Sequence, residues 1–549
     1  MNPTVTLLVL ILATAGSEGA KVLLHPYGHC LNSHLYNMEK MAAILLKGGH
    51  DVTILIHENY TEAHADLNMD KVNFLHYTPP KNVPIICSLN SLNEYLTTPG
   101  KKVMDTFYDS TLMYCEAILQ DKVLMHKLKK SKFDIGIYDV VDPCSRIIAD
   151  HVGIPFITFH SHGIDTLLPR NPAYLPAIMT SFSDDMRWWQ RALNTLGYIM
   201  IKIISYTTMR RIDALKARYN IKPGLSVADT YDRASLKFVL GDFALDYAGP
   251  MQPSTILVGG FIQQPSPRPL SHNIQKFMDE SENGTVLLNL GTLVRYYDEE
   301  WREMFAKALA DLPYSVIWKY EGPTPKNLGK NTITTPWNEQ FSILQHKKVK
   351  AFVTHAGFNS VYESAYNGVP AVAVPLFGEQ SFQATKVVQA KMGVKLGIHD
   401  LTASKLTSAI LEVAGTPKYK KNAKHISDIM RNKPQSQEDE ILHWVNYVLK
   451  IGNTHHLRSK ESKLYWYQVY LIDVALIYSI ILAFIYIASK KVLSLLVSPI
   501  SFISKSRLSA EQSVKSAEKH EISKTISSKP KDRLFSRLLK TIFLHMSFK

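Results

Sequence analysis

Between Trp337 and Gln380 runs a block of forty-four residues, WNEQFSILQHKKVKAFVTHAGFNSVYESAYNGVPAVAVPLFGEQ, whose polar positions suit a nucleoside-diphosphate sugar. Trp337 offers a flat face on which a base can stack, worth about 1–3 kcal/mol in nucleic-acid binding, and the Gln340 amide has the groups to read a pyrimidine edge. A helix opening after Gly357 presents unpaired backbone N–H groups and the positive end of its dipole to a diphosphate. His355, Asn359 and Ser360 add side-chain donors there. Glu363 lies one helical turn beyond Asn359, where a carboxylate clears the phosphates and can accept the two vicinal hydroxyls of a ribose. Glu379 and Gln380 are left to face the hydroxyls of the sugar. Each residue type is common in α/β proteins when taken singly; seven suited positions in register are not.

The elements that must hold these residues alternate. Ala351–Thr354 is a short apolar run suited to a buried parallel strand, and it leads through His355–Ser360 into a helical segment over Val361–Asn367. Gly368 and Pro370 close that helix. A second buried run, Ala371–Pro375, ends in the loop Phe377–Gln380. Both loops therefore fall at the carboxyl ends of parallel strands, where open α/β sheets bind ligands.

The amino-terminal half carries a second candidate centre. Lys21–His25 reads as a strand, and His34–Lys47 as a helix with Leu35, Met38, Ala42 and Leu45 on one face, ended by Gly48-Gly49. Val52–Ile56 is the next strand. Ser33 is the expected N-cap, leaving His34 at the helix mouth as a base for an acceptor hydroxyl near neutral pH. Asp139 ends the run Lys132–Tyr138, so a carboxylate at a neighbouring strand end could bond the far nitrogen of His34 and stabilise its imidazolium. Asp142, against Pro143, is the weaker partner. The chain holds 21 histidines, and a lone one is ordinarily structural.

The block from Trp337 to Gln380 resembles the donor signature of the UDP-glycosyltransferases, the family of the UDP-glucuronosyltransferases. The resemblance implies Trp337 and Gln340 at uracil, His355 with the Gly357–Ser360 backbone at the diphosphate, Glu363 at ribose, and Glu379 with Gln380 at the sugar. It also implies the dyad, since Ser33-His34 and Asp139-Val-Val-Asp-Pro143-Cys144 are similar to family motifs. Asn289-Leu-Gly291-Thr292 resembles the loop after the first strand of the donor domain. Asn171–Pro176 and Ser183–Met186 resemble acceptor-side landmarks, and His456–Arg458 with Trp466–Val474 the approach to the anchor. The helix Gln437–Ile451 is implied to pack back on the amino-terminal domain. Glu339 departs from the family, which usually has Pro there, so the uracil loop is expected to be less rigid. Residues 60–130 match nothing comparable, as befits a variable acceptor pocket.

With 549 residues, 46% hydrophobic and 20% charged, the chain exceeds one ordinary core and predicts two large domains. Residues 1–20 read as a secretory signal, since Val5–Ala15 is apolar but too short to span a bilayer. Leu471–Ser489 is long enough. Aromatic Tyr465–Tyr467 precedes it and Lys490-Lys491 follow, which sets a single span with the preceding residues luminal and 490–549 cytosolic. The tail carries thirteen Lys or Arg against four Asp or Glu, so +9 of the net +14 lies just past the span. Topology and anionic lipid account for that charge without nucleic acid. Within the tail, Arg533–Phe543 could form a basic surface helix. The luminal sequons are Asn59-Tyr-Thr61 and Asn283-Gly-Thr285. Cys30, Cys87, Cys115 and Cys144 lack metal-ligand spacing and could form one or two disulfides.

These features together predict an α/β protein of the GT-B architecture implied by the resemblance: an acceptor domain over 21–259, a donor domain over 260–450, a juxtamembrane segment over 451–470, a transmembrane helix over 471–489 and a basic tail. The expected reaction is inverting transfer of a hexose or hexuronic acid, glucose or glucuronic acid, from a UDP-sugar co-substrate to a small apolar alcohol or phenol. Membrane lipid is the other partner, a homo-oligomer is compatible with the chain, and the endoplasmic reticulum follows from the family alone. No Asp-x-Asp triplet is present to hold a metal on the donor, and no further cofactor is expected. A dinucleotide oxidoreductase would need a Gly-x-Gly turn, which is absent. The alternative from another class is a membrane-tethered nucleotide-sugar-binding protein without turnover.

Overall fold

The computed structural model describes residues 19–28, 32–60, 71–81, 83, 91–98, 100–164, 171–178, 180–260, 269–292, 294, 296–336 and 339–518. The signal-like segment, Cys30, Cys87, Trp337 and the tail beyond Glu518 lie outside them.

Among the described residues, two parallel sheets account for the named strands. The first contains β1 (Lys21–His25), β2 (Asp51–His57), β3 (Asn73–Tyr77), β4 (Ile135–Asp139), β5 (Phe156–His160), β6 (Leu236–Val239) and β7 (Thr255–Leu257), in the order β3-β2-β1-β4-β5-β6-β7. The second contains β8 (Thr285–Asn289), β9 (Ser315–Lys319), β10 (Thr332–Thr335), β11 (Val349–Thr354), β12 (Ala371–Ala373) and β13 (Gly393–Lys395), in the order β10-β9-β8-β11-β12-β13. The central strands are continuous apolar runs buried on both faces, the pattern that helices on either side of a parallel sheet require. Each order reverses direction once, between β1 and β4 and again between β8 and β11. Ligands of doubly wound sheets bind at those reversals, outside the carboxyl ends of the strands.

Helical segments begin earlier than periodicity alone suggests. The amino-terminal helix is Asn32–Lys47, so Ser33 lies inside its first turn and is not the N-cap. The helix expected to hold the donor is Phe358–Tyr366, with extended Gly357 as N-cap, which makes Asn359 and Ser360 its second and third residues. First-turn N–H groups need no intrahelical acceptor, so polar residues expected to precede a helix can serve within it.

The two sheets share packing. The helix Gln437–Ile451 leaves the second sheet and buries Ile441, Val445 and Val448 in the core that holds Leu35, Met38 and Leu45. Thr454 Oγ1 then donates to the Ser235 carbonyl at 2.7 Å. In the other direction, the short helix Leu92–Thr97 sits on the second sheet's side: Trp301 Nε1 donates to Asn93 Oδ1 at 2.7 Å, and the Asn93 N–H to Asp298 at 2.9 Å. Lys386 Nζ and Asp246, both fully buried, pair at 2.6 Å between the helix Gln380–Gln389 and the β6–β7 connection.

Residues beyond Ser459 form a separate compact unit. Its helix, Ile472–Glu518, does not stop at Lys490-Lys491; the stretch long and apolar enough to cross a membrane is Ile472–Leu496, with mean hydropathy 2.2.

Candidate active site

β1 and β4 pair side by side, and the residues at their carboxyl ends meet. His34 Nδ1 lies 2.6 Å from Asp139 Oδ2, with both residues buried. Asp139 Oδ1 accepts the Val141 N–H at 2.9 Å, and Oδ2 also accepts the Ser161 hydroxyl at 3.0 Å. Burial pushes the Asp139 carboxyl up, but the His34 imidazole and the Val141 N–H more than offset it and leave the group below the usual range. An ionised carboxylate only accepts, so Nδ1 of His34 carries a proton, and in the neutral form of the ring it is Nε2 that holds the lone pair. Asp142 lies elsewhere: it accepts the Cys144 N–H at 2.8 Å and stands 3.7 Å from His25, and burial raises it to about 7.

Three neighbours of the His34–Asp139 pair are not evident from the sequence. Ser161 and His162 follow β5, the strand beside β4, and the His162 ring centre is 4.6 Å from that of His34. Burial first, and the nearness of His34 second, lower His162 to about 3, so its ring is neutral. Tyr27 stands edge-on to His34 at 5.9 Å, stacks on Phe107 at 5.5 Å and bonds Thr111. Phe107 and Thr111 belong to the helix Gly100–Gln120, in the region left unmatched by the sequence. An aromatic wall beside a base is suited to an apolar acceptor. The signal for Ser161 and His162 is present, as polar residues at the exit of an apolar run, but strand order is needed to bring them to Asp139.

The second sheet builds the facing half. Gly357 offers no side-chain cap, so the first N–H groups of the donor helix stay open toward an anion. His355 packs between two glycines: a Cβ added at Gly291 would lie 2.7 Å, and one at Gly357 2.4 Å, from its Nε2. Gly291 further needs its φ of +90°, and Thr292 follows it in the turn. Ala356 has a φ of +60°, a left-handed conformation unusual for a residue with a Cβ, held between β11 and the helix. Burial, then Lys319, lower His355 to about 4 and keep it neutral. Lys319, at the end of β9, donates to the Gly291 carbonyl at 3.1 Å and puts a cation beside the loop that faces the helix mouth. It too is not evident from the sequence, as the last residue of an apolar strand.

Gln340 connects these loops. Its Oε1 accepts Asn289 Nδ2 at 2.7 Å, and its Nε2 donates to Glu363 at 2.7 Å and to Ser360 at 3.3 Å. The pyrimidine-reading and ribose-binding residues expected from the sequence are thus hydrogen-bonded to each other. Burial raises the Glu363 carboxyl, with Gln340 and Lys40 acting against it. Gln380 starts its helix and accepts the Leu376 and Phe377 N–H groups at 2.8 and 3.1 Å, which commits its oxygen to shaping the loop and leaves its amide NH2 for a ligand.

The halves face each other directly. Asn359 Nδ2 in the donor helix donates to Asn37 Oδ1 in the helix of His34 at 3.1 Å. Burial raises the Glu379 carboxyl, with its own backbone N–H and the nearness of His34 acting against it, so the expected sugar-facing residue lies within electrostatic reach of the expected base. Gly163, with a φ of +87°, lets the loop after His162 lie against Phe358 at the mouth of the donor helix, where a Cβ would come within 2.5 Å of its ring. Of the sequons, Asn59 is exposed; Asn283 is exposed but donates Nδ2 to the Pro313 carbonyl at 3.0 Å, and its Thr285 is buried in β8.

The profile of the family described as "UDP-glucoronosyl and UDP-glucosyl transferase" matches residues 20–501. Among similar curated proteins, human 2-hydroxyacylsphingosine 1-beta-galactosyltransferase is 29% identical over 484 residues, 85% of this chain and 87% of that protein. Mouse UDP-glucuronosyltransferase 1-2 is 31% identical over 501 residues, 88% and 93% of the two chains. Among solved structures, the calicheamicin glycosyltransferase CalG4 superposes with a TM-score of 0.54 at 17% identity, over 79% of this chain and 98% of that one. The kitacinnamycin glycotransferase does so with a TM-score of 0.55, also at 17% identity, over 78% and 99%. With two doubly wound sheets facing one cleft and a profile match over most of its length, the chain belongs to the UDP-glucuronosyl and UDP-glucosyl transferase family and is a UDP-sugar glycosyltransferase of the GT-B fold.

Proposed function

We propose that this chain transfers a hexose or hexuronic acid from a UDP-sugar to the hydroxyl of a small apolar alcohol or phenol, with inversion at the anomeric carbon. The observation that carries the reading is the buried His34–Asp139 pair facing the uncapped donor helix, with Asn37 and Asn359 bonded across the gap. His34 Nε2 takes the acceptor proton while the acceptor oxygen bonds the anomeric carbon and the bond to the UDP oxygen breaks on the opposite face. Asp139 holds the tautomer and stabilises the imidazolium. The helix mouth at Gly357, with His355, Asn359, Ser360, Thr292 and Lys319, takes up the charge of the leaving diphosphate. Trp337 stacks on uracil, Gln340 and Glu363 hold the uridine, and Glu379 with Gln380 hold the sugar. Glucuronic acid, glucose and, from the galactosyltransferase among its relatives, galactose are the sugars to compare.

Anchorage through Ile472–Leu496 and a luminal catalytic unit in the endoplasmic reticulum complete the reading. The Cys115–Cys144 disulfide supports an oxidising compartment, and Asn59 and Asn283 are the sites to test for glycans.

The experiment is UDP release by the purified full-length protein with a phenol acceptor and each UDP-sugar in competition. Wild type is expected to turn over and His34→Ala to bind UDP without turnover. Undiminished activity in His34→Ala overturns the catalytic assignment, and binding without turnover in wild type points to a tethered binding protein.

A further inference from the structure

A cavity of about 680 Å³ lies beside β13, the edge strand of the second sheet and two strands from the reversal between β8 and β11. Its volume suits a small molecule. The helix Gln380–Gln389 lines it with Thr385 and Val388, β13 with Val394 and Lys395, and the helix Pro417–Arg431 with Lys418. Lys391, held at a φ of +51° between that first helix and β13, lines it as well. The amino-terminal half closes it through Ser181, whose hydroxyl accepts Lys395 Nζ at 3.2 Å and whose carbonyl accepts the Thr385 hydroxyl at 3.5 Å.

The charge around this space has one sign. Three lysines and no carboxylate line it. Among the described residues, Lys391, Lys395 and Lys418 form no ion pair, although Lys386 and Lys433 pair with Asp246 and Asp242. Three carboxylates come near without lining it: Asp184 accepts Gln389 Nε2 at 3.2 Å, Glu412 accepts the Tyr419 hydroxyl, and Asp400 lies behind Gly397. Lys418 also stands in the first turn of its helix, followed by Lys420 and Lys421 and with no acidic residue in that turn, where the positive end of the dipole disfavours cations. Burial lowers the Lys395 ammonium, a further sign that its charge is under-compensated. Like charges gathered against a helix field break the local rules of stability, as residues do where they serve a ligand. An anion relieves the conflict. Lysines act as point charges without the planar fork that arginine offers a carboxylate, and with the hydroxyls of Ser181 and Thr385 they suit a phosphate. Val388 and Val394 leave an apolar wall for the rest of the molecule.

We propose that this cavity is a second anion site, separate from the UDP site, which takes a phosphate-bearing small molecule among Lys391, Lys395 and Lys418. A ligand there ties Ser181 of the amino-terminal half to the helix that begins at Gln380. The proposal rests on the donor reading only in using UDP to fill the helix mouth at Gly357.

The test titrates the full chain, purified in dodecyl maltoside, with inorganic diphosphate by calorimetry in saturating UDP. One diphosphate is expected to bind per chain, more weakly as salt rises. Lys391→Gln/Lys395→Gln/Lys418→Gln is expected to weaken it roughly tenfold or more, and Arg at the same three positions to retain it. Lys420→Gln/Lys421→Gln, on the same helix outside the cavity, should leave it unchanged, and UDP binding by each variant checks its fold. No binding by wild type, or equal binding by wild type and the triple Gln variant, overturns the proposal. Dihexanoyl phosphatidic acid as competitor separates the sources: weaker competition than unlabelled diphosphate supports a soluble ligand, and stronger competition overturns that source in favour of a lipid headgroup. Failure of wild type to bind UDP refutes the donor reading instead, and the difference between wild type and the triple Gln variant still decides the second site.

Discussion

Asp139→Asn isolates the work of the carboxylate with little change of shape. The Asn oxygen can keep the Val141 N–H, but its Nδ2 takes the place of Oδ2, where it faces the His34 Nδ1 proton at 2.6 Å and the Ser161 hydroxyl at 3.0 Å. A donor opposite a donor forces His34 to move its proton to Nε2, the atom that must accept from the substrate. The imidazolium formed in the reaction also loses its counter-charge. At about 4 Å between charge centres and an effective dielectric near 20, that attraction is about 4 kcal/mol. At about 1.4 kcal/mol per decade it corresponds to roughly a thousandfold in kcat, and the wrong tautomer carries the loss toward about ten-thousandfold. Steady-state kinetics with varied UDP-sugar and a saturating phenol should show the fall in kcat with the donor KM unchanged, because Asp139 lies on the acceptor side. Asp142→Asn is the control, since Asp142 is directed at His25 and Cys144; its kcat should stay near wild type. An Asp139→Asn enzyme within about tenfold of wild type would refute the dyad.

Glu363→Ala removes the expected ribose acceptor and releases the Gln340 amide; with about 1.5–3 kcal/mol per charge-assisted hydrogen bond, the KM for the UDP-sugar should rise roughly ten- to hundredfold with kcat retained. Lys386→Met leaves the Asp246 carboxylate buried without its cation and should cost about 3–5 kcal/mol in denaturant unfolding, most of it recovered by adding Asp246→Asn. Acid should destabilise the catalytic unit: burial lowers His25 to about 4 and His160 to about 3, so the unfolded chain binds more protons and stability falls as pH drops below about 6.5. The two groups account for about 3 kcal/mol between pH 6.5 and 5, Asp142 with its raised value opposes about 2 kcal/mol of that, and urea titrations of Asp142→Asn should show the steeper loss.

The donor block is legible in the amino-acid sequence because its residues are local. Strand, loop, glycine and helix follow within a few positions, and the spacing of His355, Gly357, Asn359 and Glu363 already sets them around one helix mouth. The dyad is legible only as two strand ends, and nothing in the sequence makes β1 and β4 neighbours. Ser161, His162 and Lys319 stay hidden for that reason: each ends or follows an apolar run and gains meaning only from the strand beside it. Ser33 is misplaced by sequence alone because the polar residues of a first turn look the same whether they cap the helix or begin it.

By itself the sequence determined the family, the alternation of strands and helices, the donor-binding residue types and the apolar segment near the carboxyl end, all of which are carried by periodicity and short-range spacing. The tertiary structure decided which carboxylate bonds His34, how Gln340 joins Glu363 to Asn289, why Gly291 and Gly357 must both lack a Cβ around His355, and that Asn37 meets Asn359 across the cleft. Such contacts join residues up to 322 positions apart, so they depend on strand order and on two cores packed together, and neither has a local signature in the chain.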